Sequence, residues 1–131
     1  MTPKKFKKIC KRYFTDSAFT MEDISNVDDN SITISIFFCR YGVLRYCYYF
    51  DDKEKSFLLL ADKFRYNEIC DRILPYRNDG SILGMWSDFT KLYNVGHNKL
   101  IKIILNLIEK IKIAKVEYKK QLIEKDFEDE G

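Results

Sequence analysis

Aromatic and arginine side chains are concentrated in one stretch of the chain, Phe37 to Phe50. Seven of its fourteen residues are aromatic, and two arginines lie among them. Rings can stack on nucleobases while guanidinium groups bind phosphates, so this combination is typical of a nucleic-acid platform. The same residue types also suit a half-buried strand, and tyrosine and arginine are enriched at protein interfaces. The candidate contact residues of the stretch are Arg40, Arg45, Tyr46, Tyr48 and Tyr49.

The N-terminal stretch holds a second group of candidate contact residues. Pro3 suits the first turn of a helix, and apolar residues then recur at helical spacing: Phe6, Ile9, Cys10, Tyr13 and Phe14. Six cationic side chains occupy the rest of this predicted helix: Lys4, Lys5, Lys7, Lys8, Lys11 and Arg12. Such a helix can contact a phosphate backbone or an anionic membrane. It can equally dock through its apolar stripe and leave its lysines in solvent.

Met85 and Trp86, the single tryptophan of the chain, form the third candidate contact. Ser87 can cap a short helix that continues through Tyr93, which would bring Trp86 close to the apolar face of that helix. The tryptophan can then fill the core. An exposed Met–Trp pair would instead be an anchor for a protein partner.

Signatures of catalysis and of metal binding are absent from the sequence. It has no GxSxG, no GxxxxGK[ST] and no GxGxxG. The four cysteines, Cys10, Cys39, Cys47 and Cys70, include no CxxC pair, and His97 alone cannot complete a zinc site. Cys70 and His97 are the one conceivable catalytic Cys/His pair, but Cys70 falls on the apolar side of a predicted helix, where a thiol is inert. We therefore expect no enzymatic activity, no metal and no cofactor.

Charge is segregated along a chain whose net charge is only +3. The basic blocks are 4–12, without an acid, and 91–120, with eight lysines against two glutamates. The acidic blocks are 16–29, with five acids and no base, and 124–130, with five acids against one lysine. Such blocks create regional fields that the net charge hides. With no signal segment, no bilayer-spanning run and no disulfide pattern expected, we predict a cytoplasmic protein with reduced, mostly buried thiols.

Alternation of apolar and polar residues predicts three antiparallel strands between about 31 and 60. Isoleucine alternates with threonine and serine from 32 to 36, and the segment 40–42 predicts a tight connection with positive φ at Gly42. Residues 43–50 and 56–60 return as the second and third strands, separated by the charged turn 51–55. The residues expected on the core face of the second strand are Leu44, Tyr46, Tyr48 and Phe50. Because one sheet face must be buried, most of the rings are expected in the core.

Helical patterns follow the predicted sheet, whereas the segment 18–24 before it fits either an edge strand or a helical turn. Asp62 to Leu74 predicts a helix that ends at Pro75. A long helix from about 98 to 124 is predicted from the spacing of a bundle or coiled-coil seam: Leu100, Ile104, Leu107, Ile111, Ala114 and Tyr118. The second half of this helix has a narrower stripe, which suits pairing with a second copy. The acidic tail, 125–131, is expected to fray.

These elements predict a single α+β domain over residues 1–131, with a three- to four-stranded antiparallel sheet packed by helices. The order helix, three strands, helix resembles the α-β-β-β-α order of double-stranded-RNA-binding domains. That family carries a lysine cluster at the start of its second helix, and the segment Asp62-Lys63-Phe64-Arg65 does not match it. The resemblance therefore concerns topology alone, which does not carry function.

Two hypotheses of function follow, from different classes. The first is a small non-enzymatic inhibitor or regulator that acts by protein–protein contact. In its size, its bias toward Lys, Ile, Tyr, Phe and Asn, and its lack of catalytic motifs, the chain resembles phage- and plasmid-encoded anti-defence proteins, including anti-CRISPR proteins, which would place it in a host cytoplasm. A toxin immunity protein is a near variant. The second hypothesis is a nucleic-acid-binding protein that uses the basic N-terminal helix, the sheet arginines and aromatics, and the lysine-rich long helix.

Overall fold

The computed structural model describes residues 1–76 and 89–130, with side chains through residue 126. Met85 and Trp86 lie outside the described residues. Within these described residues, two helices and seven strands follow one another in this order: α1 (Pro3–Tyr13), β1 (Phe19–Asn26), β2 (Ser31–Phe38), β3 (Tyr41–Tyr49), β4 (Lys55–Leu59), β5 (Phe64–Asn67), β6 (Arg72–Pro75), β7 (Thr90–Leu92) and α2 (His97–Glu130). Five strands form one antiparallel sheet in the order β1-β2-β3-β4-β7, and β5 and β6 form a separate hairpin. The predicted α+β class is confirmed, with more strands than predicted.

The N-terminal helix forms as the sequence predicts. Thr2 is its N-cap, and the Thr2 hydroxyl accepts a hydrogen bond from the Lys5 N–H at 3.2 Å. Pro3 occupies the first turn, where its missing N–H costs nothing. Phe6, Ile9 and Cys10 are buried, so the apolar stripe faces the sheet. The lysines are left around the rest of the helix.

The strands β2, β3 and β4 build the core through side chains that lie opposite one another across the sheet. Ile34 pairs with Tyr46, and Tyr46 pairs with Phe57. All three are buried, and Phe6 of α1 stacks on the Tyr46 ring with centroids 4.7 Å apart. The predicted core face of β3 is confirmed at Leu44 and Tyr46. The side chains further along that face are less buried. Tyr48 is half-buried, and Phe50 lies in the turn and is 49% exposed.

The turn between β2 and β3 differs from the prediction. The strands are joined by Cys39 and Arg40, which both have positive φ, 49° and 74°. Two consecutive residues of positive φ match the twist of a hairpin, as in a type I′ turn. Gly42 lies inside β3 without positive φ. The prediction was wrong because glycine is the usual residue for this conformation, whereas here two residues with side chains adopt it.

The predicted helix from Asp62 to Leu74 is wrong, because this segment forms the β5–β6 hairpin. Its turn is closed by the Asn67 side chain, which accepts a hydrogen bond from the Cys70 N–H at 3.0 Å, and by Asp71 with φ of 54°. The hairpin packs on α2, where the Tyr66 ring stacks on Tyr118 with centroids 3.6 Å apart. The helix–three strands–helix order that resembles double-stranded-RNA-binding domains is therefore not formed.

A second helix prediction, from Ser87 to Tyr93, is wrong within the described residues. Thr90, Lys91 and Leu92 form β7, which pairs with Phe57, Leu58 and Leu59 of β4. The segment 18–24 is expected to form either an edge strand or a helical turn. It forms the strand, since β1 is an edge strand of the sheet.

The long helix α2 confirms the predicted seam and extends beyond the predicted end. Leu100, Ile104, Leu107, Ile111 and Ala114 are buried in the core, and Tyr118 is half-buried against β5. At about 1.5 Å per residue, the 34 residues of α2 span about 51 Å. Fraying of the acidic tail stays a prediction.

The four thiols differ in accessibility, and their alkylation is expected to follow that order. All are free; Cys10 is buried, Cys39 and Cys47 are partly buried, and Cys70 is exposed in the β5–β6 turn rather than on an apolar helix face. Burial raises the pKa of Cys10 to about 12 and raises the pKa of Cys39. Because the thiolate is the nucleophile, iodoacetamide followed by peptide mass spectrometry should label Cys70 first and Cys10 only after urea unfolding. Native labelling of Cys10 at the rate of Cys70 would contradict this packing of α1.

Candidate binding groove

The predicted aromatic and arginine platform is not assembled on one surface. Tyr46 is wholly buried and Tyr48 half-buried on the helix-covered face of the sheet. Arg45 lies on the other face, where its Nε donates to the Ser35 hydroxyl at 3.2 Å. Of the predicted tyrosines, only Tyr49 lies on the same face of β3 as Arg45. Arg40 is exposed in the turn between β2 and β3, at the opposite end of β3 from Tyr49. Tyr46 therefore has no surface left for a partner and belongs to the core.

The basic face of α1 is divided between two sides of the helix. Lys7 forms an ion pair with Asp23 of β1, so this lysine anchors α1 to the sheet edge. Lys11 is exposed in the last turn. The remaining four predicted cationic residues line a groove between α1 and the start of α2: Lys4, Lys5, Lys8 and Arg12. We call these four residues the basic rim.

The α1–α2 groove combines this basic rim with an apolar floor. Its volume is about 490 Å³. The floor is formed by Ile9 and Tyr13 of α1 and Ile101 of α2, and Thr2 and His97 complete the lining. The groove thus offers apolar contact area inside a border of positive charge.

Both helices bring their N-terminal ends to this groove. Thr2 caps α1, and His97 is the first residue of α2. The first turns of both helices lack acidic residues, and α1 places Lys4 and Lys5 there. Positive side chains near a helix N-terminus are unfavourable by about 0.3–1 kcal/mol each, because the helix dipole is positive at that end. The groove therefore concentrates positive potential at a cost to folding.

No ion pair among the described residues neutralises the basic rim. Among residues 1–76 and 89–126, the ion pairs join Lys7 to Asp23 and Lys115 to Asp16, and neither involves the basic rim. Arg12 lies over the edge of the Tyr13 ring, 5.7 Å from its centroid. The charges of the basic rim are therefore available to an acidic partner.

A second groove continues the apolar surface along α2. This distal groove, of about 480 Å³, begins on the other side of Tyr13 and is lined by Phe19, Leu105 and Ile108 among others. Asp16 and Lys115 join across its end at 3.1 Å. The Ala18 N–H, and then Lys115, hold the pKa of Asp16 below its usual value. From His97 to Lys115 the two grooves follow α2 for about 27 Å, the length of a helix of five turns.

The sequence identified the cations of this site but not its floor. For Ile9 and Tyr13 the sequence predicts only a place in the apolar stripe of α1. The sequence offers His97 only as a lone metal ligand or as the partner of Cys70, which does not line the groove. The site forms where α1 and α2 cross. The spacing of residues within either helix does not predict this crossing.

Comparisons with family models, curated proteins and solved structures find no match to this chain. Neither helix of the described residues is long and apolar enough to cross a membrane. Within residues 1–76 and 89–126, no three His, Cys, Asp or Glu side chains converge as metal ligands do. Fold and site together define a small α+β domain with a basic-rimmed apolar groove between its two helices.

Proposed function

We propose that this protein is a small non-enzymatic binding protein that captures an acidic, apolar helical segment of a partner protein in the α1–α2 groove. One observation carries the proposal: four cationic side chains, which form no ion pair with any other described residue, surround an apolar floor between two helices. Helix-in-groove recognition needs such a floor for residues spaced three and four apart on the incoming helix. The basic rim then selects partners whose flanking residues are acidic.

The composition of the groove favours a protein partner over nucleic acid. A phosphate backbone would satisfy the basic rim but would leave the floor of Ile9, Tyr13 and Ile101 uncovered. Recognition of single-stranded nucleic acid relies on exposed rings, whereas the Tyr46 ring is buried in the core. Nucleic-acid binding remains the alternative function, since the basic rim and two helix N-termini form a field that also attracts phosphates.

Occupation of a partner's acidic segment is the mode of action that an inhibitor or regulator requires. The chain is small, and its sequence has the compositional bias of phage- and plasmid-encoded anti-defence proteins. A host protein with an acidic helix is then the expected class of target. The same mode would serve a toxin immunity protein, in which the captured segment belongs to the toxin.

Charge reversal of the basic rim is expected to abolish capture of an acidic helix. The probe is a fluorescein-labelled peptide with leucine at i, i+4 and i+7 and glutamate elsewhere, followed by fluorescence anisotropy. The triple change Lys4→Glu, Lys8→Glu and Arg12→Glu should weaken binding by at least about tenfold, because three attractive pairs become repulsive. The matched control carries the same charge change on exposed lysines outside the groove, Lys53→Glu, Lys63→Glu and Lys102→Glu, and should bind like the unchanged protein.

Two further probes separate the functional classes. A peptide in which serine replaces each leucine should bind weakly, because the apolar floor is then left without a partner. Labelled single-stranded RNA and double-stranded DNA should bind less tightly than the acidic helix at moderate salt. Tight, steeply salt-dependent binding of nucleic acid, together with no binding of the leucine peptide, would replace this function by the nucleic-acid alternative.

A further inference from the structure

The helix α2 carries a second apolar stripe that the core does not use. Leu105, Val116 and Ile123 lie on one side of α2, which points away from the buried seam, and they are 48%, 51% and 56% exposed. The exposed charged residues Glu109, Lys112 and Lys119 lie between them on the same side. Leu105 lines the distal groove, so the stripe continues the apolar surface that begins at Ile101 in the α1–α2 groove. Exposed apolar surface that continues from a groove is typical of a protein–protein interaction site.

Within the part of the chain that the structure describes, the C-terminal part of α2 extends beyond the elements that support the rest of the helix. Its last ring contact is Tyr118 on Tyr66, and every described residue from 119 to 126 is exposed. Leu122 and Ile123 are among them. Isolated helical turns are marginal in water, so an apolar-bearing helix end of this kind is stabilised when a second surface packs on it.

The two ends of α2 have opposite electrostatic surroundings. At the N-terminal end lie the basic rim and the start of the helix dipole. At the C-terminal end, the segment 124–130 holds five acids against one lysine. An antiparallel arrangement of two copies places each acidic end beside the basic rim of the other copy. A parallel arrangement would place acidic ends together and basic rims together, which is repulsive.

We propose that a second copy of this chain occupies the α1–α2 groove: two α2 helices pair antiparallel through the Leu105–Val116–Ile123 stripe, and each acidic end lies on the basic rim of the other copy. The contact is self-complementary and two-fold, so it closes at a dimer. It covers the stripe from Ile101 to Ile123, about 33 Å of helix. The inference rests on the proposed function, since it assigns to the groove the same preference for an acidic, apolar helix.

This arrangement regulates the groove by concentration. In the dimer, each groove is filled by the end of the other copy, so capture of a partner requires dissociation. Dilution frees the groove, and a partner whose acidic helix binds more tightly displaces the second copy. At high concentration the protein is therefore a dimer with occupied grooves. The monomer is the species that can bind a partner.

Sedimentation velocity at low salt tests the proposal through charge exchange. The unchanged protein should be dimeric at high concentration and should dissociate on dilution and on addition of salt. A rim-reversed variant (Lys4→Glu, Lys8→Glu, Arg12→Glu) and an end-reversed variant (Glu124→Lys, Asp126→Lys, Glu128→Lys, Glu130→Lys), which changes the charge of the segment 124–130 from −4 to +4, should each be monomeric alone. Mixed in equal amounts they should form a heterodimer, because each reversed rim then meets a reversed end and each original rim an original end. A control variant with Lys53, Lys63 and Lys91 changed to Glu, three exposed lysines outside α1 and α2, should remain dimeric.

Combining both sets of changes in one chain is the decisive variant. In the antiparallel arrangement it should dimerise again, since its negative rim meets the positive end of the second copy. In a parallel arrangement the combined variant would still place like charges together, so it should remain monomeric. A monomeric unchanged protein at high concentration and low salt, or variants that fail to associate when mixed, would overturn the proposal. Far-ultraviolet circular dichroism of each variant establishes that it is folded, and Val116→Ser with Ile123→Ser, two exposed changes that keep the charges, should also give a monomer.

Failure of the dimer and failure of the proposed function give different results. If the unchanged protein is monomeric but captures the acidic leucine peptide, the proposed function stands and the second copy is not an occupant. If the protein dimerises by charge exchange but the monomeric end-reversed variant, whose groove is intact, does not bind the peptide, the groove serves self-association alone. When both proposals hold, the end-reversed variant binds the peptide more tightly than the unchanged protein at high protein concentration.

Discussion

Replacement of Tyr46 by alanine is expected to lower the free energy of unfolding by about 3–5 kcal/mol, the range found for large aromatic side chains removed from a core. The ring is wholly buried, stacks on Phe6, and lies 4.9 Å from Phe57, centroid to centroid. Its hydroxyl donates to the Met1 carbonyl oxygen at 2.6 Å. Removal leaves a cavity where α1, β3 and β4 meet. Urea unfolding followed by far-ultraviolet circular dichroism measures the loss.

Two control variants divide this effect into its parts. Tyr46→Phe keeps the ring and removes only the hydrogen bond to Met1, at a cost of about 1 kcal/mol. Burial raises the pKa of Tyr46 above the ordinary tyrosine value, so the hydroxyl remains a donor throughout the neutral range. Tyr49→Ala, on the exposed end of the same strand, should change stability by no more than about 0.5 kcal/mol. Equal effects of Tyr46→Ala and Tyr49→Ala would show that Tyr46 is not the centre of the core.

The elements predicted well are those in which one periodicity runs long enough to be read from local sequence. Five turns of α2 repeat the same seam, α1 has a proline start and one apolar stripe, and β2 alternates isoleucine with small polar residues. In each of them, burial follows the pattern because one face has to meet the core. The sheet aromatics were interpreted correctly where the alternation placed Tyr46 beside Leu44 on the covered face.

The β5–β6 hairpin could not be predicted in this way, because its stabilising contacts are distant in sequence. Four residues per strand are too few for a periodicity, and the apolar residues of the segment also fit an incomplete helical stripe. The Tyr66–Tyr118 stack and the docking on α2 decide the structure. Tertiary packing overrides local preference in such short segments. The same limit applies to the α1–α2 groove, whose cations are local and whose floor arises from the crossing of two helices.

The turn between β2 and β3 is expected to become more stable when glycine replaces Arg40, by about 0.5–1 kcal/mol. A residue with a Cβ atom is destabilised by roughly 1–2 kcal/mol in the left-handed region of backbone conformation, and Arg40 has φ of 74°. Glycine removes this strain but adds about 0.5–1 kcal/mol of chain entropy in the unfolded state. The balance stays favourable because the hairpin geometry keeps φ positive whichever residue is present. Thermal or urea unfolding of Arg40→Gly measures the gain.

The sign of the effect separates this turn from the one that the sequence predicted. If positive φ belonged to Gly42 and Arg40 had ordinary backbone geometry, Arg40→Gly would destabilise the protein, as we expect for the matched change Arg72→Gly in β6, where φ is not positive. Gly42→Ala should change stability by less than about 1 kcal/mol. Its new Cβ atom would meet the Leu60 Cδ1 atom at 2.9 Å, and that methyl group lies at the end of a flexible side chain that can move aside. A stabilising Arg40→Gly with a nearly neutral Gly42→Ala therefore locates the strain of this hairpin at Arg40, two residues before the glycine.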